Sequence, residues 1–63
     1  SMDYANLMKL AIDFSDGIIL GSDTINPDLK AYLNEQKTPV LPFEADFDSY
    51  ADSIDAFYDK IVG

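Results

Sequence analysis

The order of elements in this chain predicts an α/β fold of the form α-β-α-β-α with a short two-stranded parallel sheet. Two apolar segments, Ile18-Ile19-Leu20 and Val40-Leu41, have the length of short strands. A helix that begins at Pro27 separates them, and two parallel strands need such a crossover connection. Because a two-stranded parallel sheet normally has neighbouring strands, we expect residues 1–63 to form a single small α/β domain at the edge of a larger one.

The first helix is predicted to run from Tyr4 to Phe14. Its apolar residues recur with helical spacing and form a broad stripe that we expect to be buried, comprising Leu7, Met8, Leu10, Ala11, Ile12 and Phe14. Asp3 is a suitable N-cap residue for this helix. Gly17 is expected to end the segment by taking the left-handed conformation that glycine tolerates best.

The segment from Gly17 to Ser22 is predicted to contain the first strand. Three consecutive apolar residues between two glycines favour a strand that is buried on both faces. Substitution of Ile19 by aspartate is therefore expected to unfold the domain, because it would bury an unpaired charge.

The turn Gly21-Ser22-Asp23-Thr24 follows at the carboxyl end of this strand, where ligands usually bind in open α/β sheets. Gly21 and Ser22 are therefore the candidate ligand-proximal residues. The segment has no GxGxxG or Walker pattern, so the sequence favours ordinary turn chemistry, in which Asp23 or Thr24 bonds the local backbone, over a ligand loop.

The second helix has the clearest local signal. Asn26 is a preferred N-cap residue, Pro27 suits the first helical position, and Asp28 suits the positive end of the helix dipole. We expect the helix to end between Asn34 and Gln36. One face carries its apolar residues, Leu29, Tyr32 and Leu33.

The second strand, Val40-Leu41, lies between Pro39 and Pro42, and the missing proline N–H indicates a short or edge strand. A third, terminal helix is predicted after it, with Asp48 or Ser49 as its N-cap. Its apolar stripe comprises Tyr50, Ile54, Phe57 and Ile61, and its outer face carries Asp52, Asp55 and Asp59.

The composition excludes several classes of function. Twelve acidic residues against four lysines give a formal net charge of -8, which disfavours binding to nucleic acid or to an anionic membrane. The chain has no cysteine and no histidine, so it lacks disulfides, the commonest metal ligand and the usual general base. We found no membrane-spanning run or secretory signal pattern and therefore expect a cytoplasmic location.

The acidic residues and serines do not form a recognisable catalytic or metal-binding pattern. Asp46-Phe47-Asp48 resembles the start of a calcium-binding loop, but the glycine and the bidentate acid that complete such a loop are missing. The serines lack a histidine partner. We therefore expect no catalytic residue, no metal site and no cofactor. The aromatic residues are expected to lie in a core or an interface rather than against a ligand.

The residues from Leu7 to Ser22, followed by Asn26-Pro27-Asp28-Leu29, resemble a passage of bacterial glycogen and starch synthases. In that family a helix, a strand ending in serine and a further helix lie near the end of the N-terminal Rossmann-like domain. The segments from Thr38 to Phe43 and from Ile54 to Ile61 are similar to the carboxyl terminus of shortened synthase-like proteins that keep only this domain. The resemblance covers nearly the whole chain.

The resemblance implies a C-terminal fragment of a Rossmann-like domain from a glucosyltransferase-like protein that uses ADP-glucose and an α-1,4-glucan. The glycine-rich nucleotide loop and the paired acids of that family have no counterpart here, so no catalytic residue is carried over and the fragment is expected to be inactive by itself. The alternative hypothesis is a stand-alone acidic protein-interaction module. Under the first hypothesis, the expected partner is the rest of the parent chain or another copy, bound through sheet edges and apolar helix faces.

Overall fold

The computed structural model describes residues 3–63 and confirms the α/β fold and the predicted order of elements. Its elements in chain order are α1 (Tyr4–Asp13), β1 (Ile18–Ile19), α2 (Pro27–Glu35), β2 (Val40–Leu41) and α3 (Phe47–Val62). Helix α2 ends within the predicted range. Strand β1 is one residue shorter than the predicted Ile18-Ile19-Leu20, although the backbone of Leu20 continues the pairing.

The two strands form a parallel pair in which Ile18 lies opposite Val40 and Ile19 lies opposite Leu41. The Ile18 N–H donates to the Pro39 carbonyl at 2.9 Å, and the Leu20 N–H donates to the Leu41 carbonyl at 3.0 Å. The predicted parallel pairing is therefore confirmed. Both strands are edge strands, because the sheet has only these two in the described part of the chain.

One face of the sheet packs against α1 and α2. Three buried side chains from these helices form the core, namely Ile12, Leu29 and Leu33, with five partly buried residues against them: Ile18, Leu20, Ile25, Tyr32 and Val40. Polar contacts also join the two helices. The Tyr32 hydroxyl donates to the Asp13 carboxylate, and the Lys9 ammonium lies 5.5 Å from the centroid of the Tyr32 ring.

Helix α3 covers the other face of the sheet only in part. Its predicted inner residues, Tyr50, Ile54, Phe57 and Ile61, are half-buried, and no residue of α3 is fully buried. The Tyr50 hydroxyl donates to the Leu20 carbonyl, and the Tyr50 ring meets Phe43 edge-on with the ring centroids 5.3 Å apart. These contacts attach the start of α3 to the carboxyl ends of both strands.

The N-caps of α1 and α2 are the predicted ones. The Asp3 carboxylate accepts hydrogen bonds from the backbone N–H groups of Ala5 and Asn6, at 3.1 and 3.3 Å. The Asn26 side-chain oxygen accepts from the Asp28 N–H at 2.8 Å, and Pro27 is the first helical residue. Side-chain capping therefore satisfies amide groups that have no partner within the helix.

The predicted start of α3 is wrong by about one half-turn. The N-cap is Asp46 rather than Asp48 or Ser49, and its side chain makes no capping hydrogen bond. The Ser49 hydroxyl instead donates to Glu44 Oε2 at 3.1 Å, an oxygen that also accepts from Ser53 at the same distance. Ser49 is thus engaged as a helical residue, while Asp48 lies in the first turn, where the helix dipole favours a negative charge.

The predicted burial of the α1 stripe is largely wrong. Of its members only Ile12 is buried, at 7% exposure, whereas Leu7 is 48%, Leu10 53% and Phe14 83% exposed. The physical reason is the direction in which α1 packs. Helix α1 turns Lys9 and Asp13 toward α2, so the side that carries Leu7, Leu10 and Phe14 faces away from α2 and is largely uncovered by residues 3–63.

The expectations for Gly17 and Ile19 are also corrected. None of the described glycines has a positive φ, so Gly17 does not take the left-handed conformation. Its small size is used instead for close packing, because a Cβ atom at this position would lie 3.1 Å from the Phe57 ring and 3.2 Å from Ile61. Ile19 is 44% exposed, so β1 is not buried on both faces.

Candidate functional site

An open groove lies at the carboxyl ends of both strands, between the loops that follow them and the side of α2. It encloses about 300 Å³. Its polar side chains are Ser22, Asp23, Lys30 and Asn34, and its apolar lining is Leu20, Ile25, Leu33, Val40, Pro42 and Phe43. This is the edge at which open α/β sheets bind ligands.

Only one of the two candidate ligand-proximal residues, Gly21 and Ser22, lines the groove. Ser22 lines the groove, whereas Gly21 does not and has no heavy atom within 4 Å of the position its Cβ would occupy. The Ser22 hydroxyl oxygen accepts a hydrogen bond from the Thr24 N–H at 3.1 Å, and the Thr24 hydroxyl donates to Asp23 at 3.3 Å. The turn does contain a side-chain bond to the local backbone, but the predicted residues are wrong: Ser22 makes this bond, and the Asp23 and Thr24 side chains bond only each other.

The groove offers few polar groups. Besides the Ser22 hydroxyl, they are one ammonium group, one carboxylate and one amide, from Lys30, Asp23 and Asn34. Across residues 3–63 no group of three or more acidic side chains is close enough to hold a metal ion. The groove can accept a small polar group by hydrogen bonding.

A larger feature lies along the outer edge of β1, where apolar side chains from all three layers are exposed. We call this the β1-edge surface and define it as Leu10, Phe14, Ile19, Tyr58 and Val62. Four of these residues line one hollow of about 340 Å³ together with Gly17, Phe57 and Ile61. Leu10 lies one helical turn before Phe14 and extends the surface along α1.

The exposure of this surface is high for a protein of this size. Phe14 is 83%, Val62 65%, Tyr58 60% and Leu10 53% exposed. Single exposed apolar residues are ordinary, but contiguous ones mark interaction surfaces. Sequence reasoning assigned Leu10 and Phe14 to the core and did not single out Val62. The helical spacing had identified the α1 stripe, but spacing does not show whether a stripe is covered.

At the same edge, β1 has backbone groups that do not pair with another strand. In a parallel ladder, alternate residues direct both backbone groups toward the partner strand. Ile18 and Leu20 bond to β2, so Ile19 directs its N–H and carbonyl groups away from β2. A strand edge with unpaired groups therefore lies between the exposed side chains of α1 and those of α3.

Comparison of this chain with protein-family models, with curated proteins and with solved structures found no match. Within the described residues, no helix combines the length and the apolar character needed to cross a membrane. The functional interpretation therefore depends on the geometry of the chain itself.

Proposed function

We propose that this chain is a non-catalytic structural unit of a larger α/β assembly and that it acts by docking another polypeptide surface onto its β1-edge surface. The observation that supports this proposal is the exposure of apolar side chains from α1, β1 and α3 around one open strand edge. By contrast, only three apolar side chains among the described residues are buried, at 7–9% exposure. Association would cover the apolar surface that folding leaves exposed.

The role in a glycogen or starch synthase-like protein remains part of this proposal and rests on the resemblance of Leu7 to Ser22 and the segments after it. In that setting the docked surface is the rest of the synthase-like protein, or else a second copy. The absence of histidine and cysteine from the sequence, the usual general base and the most reactive nucleophile, supports an inactive unit. Incubation of the chain with labelled ADP-glucose and an α-1,4-glucan should give no glucosyl transfer, and transfer above a protein-free control would refute inactivity.

The alternative, a stand-alone acidic interaction module, uses the same surface with a separate protein partner. The specific observation in its favour is the formal net charge of -8 on 63 residues. A module of this kind would remain a well-folded monomer when its partner is absent. Sedimentation velocity at rising concentration distinguishes the two hypotheses. Self-association would support assembly between copies, and a persistent monomer would support the stand-alone module.

The docking proposal is tested by a double substitution, Phe14→Ser with Tyr58→Ser, because both side chains are mostly exposed. We expect folding stability to change by no more than about 1 kcal/mol for two exposed sites. The binding of a hydrophobic dye should fall, together with any self-association that the wild-type chain shows at the same concentration. The matched control is Ala31→Ser on the exposed side of α2, which should change neither. Unchanged dye binding and association in the double variant would refute this role of the surface.

A further inference from the structure

We infer that the β1-edge surface binds an extended strand, contributed by a different polypeptide segment with basic residues at its ends, which adds to the sheet beside β1. This inference rests on the proposed docking function and specifies the partner. Ile19 is the outward position of β1, and the alternate positions on either side of it are Gly17, just before the strand, and Gly21, in the bend after it. Each retains its N–H group, so each can pair with an added strand.

The two edges of the sheet differ in their ability to accept a strand. On β2, Pro39 and Leu41 face β1, so the outward positions are Val40 and its alternate neighbours. One of these neighbours is Pro42, which has no N–H to donate. The outer edge of β2 is thus interrupted by proline, whereas the outer edge of β1 is not. Strand addition is therefore directed to β1.

The side chains beside this edge indicate the shape of the added strand. Phe14 approaches the hollow from α1, and Tyr58 and Val62 approach it from α3, with Ile19 of the strand between them. A strand placed beside β1 would have one apolar helix surface on each of its faces. Branched apolar residues suit both faces of such a strand.

The charged residues near the hollow indicate which residue types suit the ends of the added strand. Asp16 lines the hollow, and Asp55 lies one turn before Tyr58 on α3. The nearby cations point elsewhere, because Lys9 lies over the Tyr32 ring and Lys60 is two positions after Tyr58, which places it on the opposite side of the helix. A segment with lysine or arginine at its ends complements this rim.

A second copy of the chain fits the site less well. Each copy carries a formal net charge of -8, so two copies would bring acidic rims together at the same interface, and like charges at an interface oppose association. A basic-ended segment of another polypeptide meets the two requirements of the site, apolar side chains at its centre and positive charge at its ends.

The test uses two synthetic peptides with the same centre of alternating valine and threonine, one flanked by lysines and the other by glutamates. Binding to the 63-residue chain is followed by fluorescence anisotropy and by changes in backbone amide signals. We expect the lysine-flanked peptide to bind at least about tenfold more tightly at low salt, with the difference shrinking as salt is added. The amide signals of Ile19 and Gly21 should move more than that of Val40.

A matched pair of variants separates backbone pairing from contact with side chains. Gly21→Pro and Gly21→Ala both add a Cβ atom in space that is open in the structure, but only proline removes the N–H group. We expect Gly21→Pro to weaken binding of the lysine-flanked peptide by about tenfold and Gly21→Ala to leave it within about twofold. Circular dichroism of both variants establishes that they are folded.

Each remaining outcome would overturn the inference in a different way. Equal binding by Gly21→Pro and Gly21→Ala would refute strand addition while leaving docking on the helix surfaces intact. Equal binding of the two peptides would refute the basic-ended partner. Larger signal changes at Val40 would assign the strand to β2. Self-association that excludes both peptides would assign the site to a second copy. If neither peptide binds, and the Phe14→Ser, Tyr58→Ser variant also keeps its dye binding and association unchanged, the docking function is refuted as well.

Discussion

Replacement of Gly17 by valine is expected to destabilise the chain, because α3 packs directly over this position. A Cβ atom there would lie 3.1 Å from Cε2 of Phe57 and 3.2 Å from two side-chain carbons of Ile61. These distances are shorter than the optimal carbon-carbon separation of about 3.5–4.0 Å. The two γ-methyl groups of valine add further atoms to the same space.

The expected magnitude follows from two opposing effects. Overpacking costs about 1–3 kcal/mol, and the loss of glycine's freedom in the unfolded chain offsets about 0.4–1 kcal/mol because Gly17 does not need a positive φ. The net free energy of unfolding should therefore fall by about 1.3 kcal/mol at the midpoints of these ranges and by no more than about 2.6 kcal/mol. For a domain of this size, each kcal/mol lowers Tm by about 4–8 °C.

The assay is thermal and urea unfolding followed by circular dichroism, with Gly21→Ala as the matched control. A Cβ at Gly21 meets no heavy atom within 4 Å, so this control should be stabilised by about 0.4–1 kcal/mol. If Gly17→Val were as stable as Gly21→Ala, α3 would not lie against β1 and the reasoning would be refuted.

Three further substitutions test other contacts. Tyr50→Phe removes the hydrogen bond to the Leu20 carbonyl and should lower the free energy of unfolding by about 0.5–1.5 kcal/mol in urea titration; an unchanged midpoint would contradict the contact. The hydrogen bond to Asp13 raises the pKa of Tyr32 above its ordinary value of 10.0, so the phenol stabilises the fold below that pH and the contribution is lost as pH rises through the folded-state pKa. Phenol absorbance should show a late-titrating component that disappears in Tyr32→Phe, and identical titrations would contradict the assignment. Ile19→Asp should remain folded with a loss of about 1 kcal/mol because Ile19 is 44% exposed, and loss of a cooperative melt would show that the site is buried.

The local parts of the fold were predictable from the sequence because short-range chemistry determines them. Asn26-Pro27-Asp28 starts α2 through capping, fixed φ and the helix dipole. The parallel pairing of the two strands followed from two apolar segments separated by a helix, whereas the register of Ile18 with Val40 was not predicted. These signals can be read from the order and type of residues along the chain and do not depend on what packs over each surface.

The burial of surfaces was less predictable, and the failures share one physical cause. Periodicity places Leu10 and Phe14 on one side of α1, but it does not show whether another element packs over that side. The expectation that Ile19 is buried was wrong for the same reason. For the groove, the position of Ser22 at a strand end was predictable, whereas its use as a backbone acceptor depended on the geometry of the turn.

The central claim is that β1 pairs with β2 on one side and presents an open edge on the other. Amide hydrogen exchange measured by NMR tests it most directly. The Ile18 and Leu20 amides, which donate to Pro39 and Leu41, should be protected, and the Ile19 amide between them should exchange rapidly. Protection of Ile19 with rapid exchange at Ile18 and Leu20, or equal protection of all three, would contradict the account.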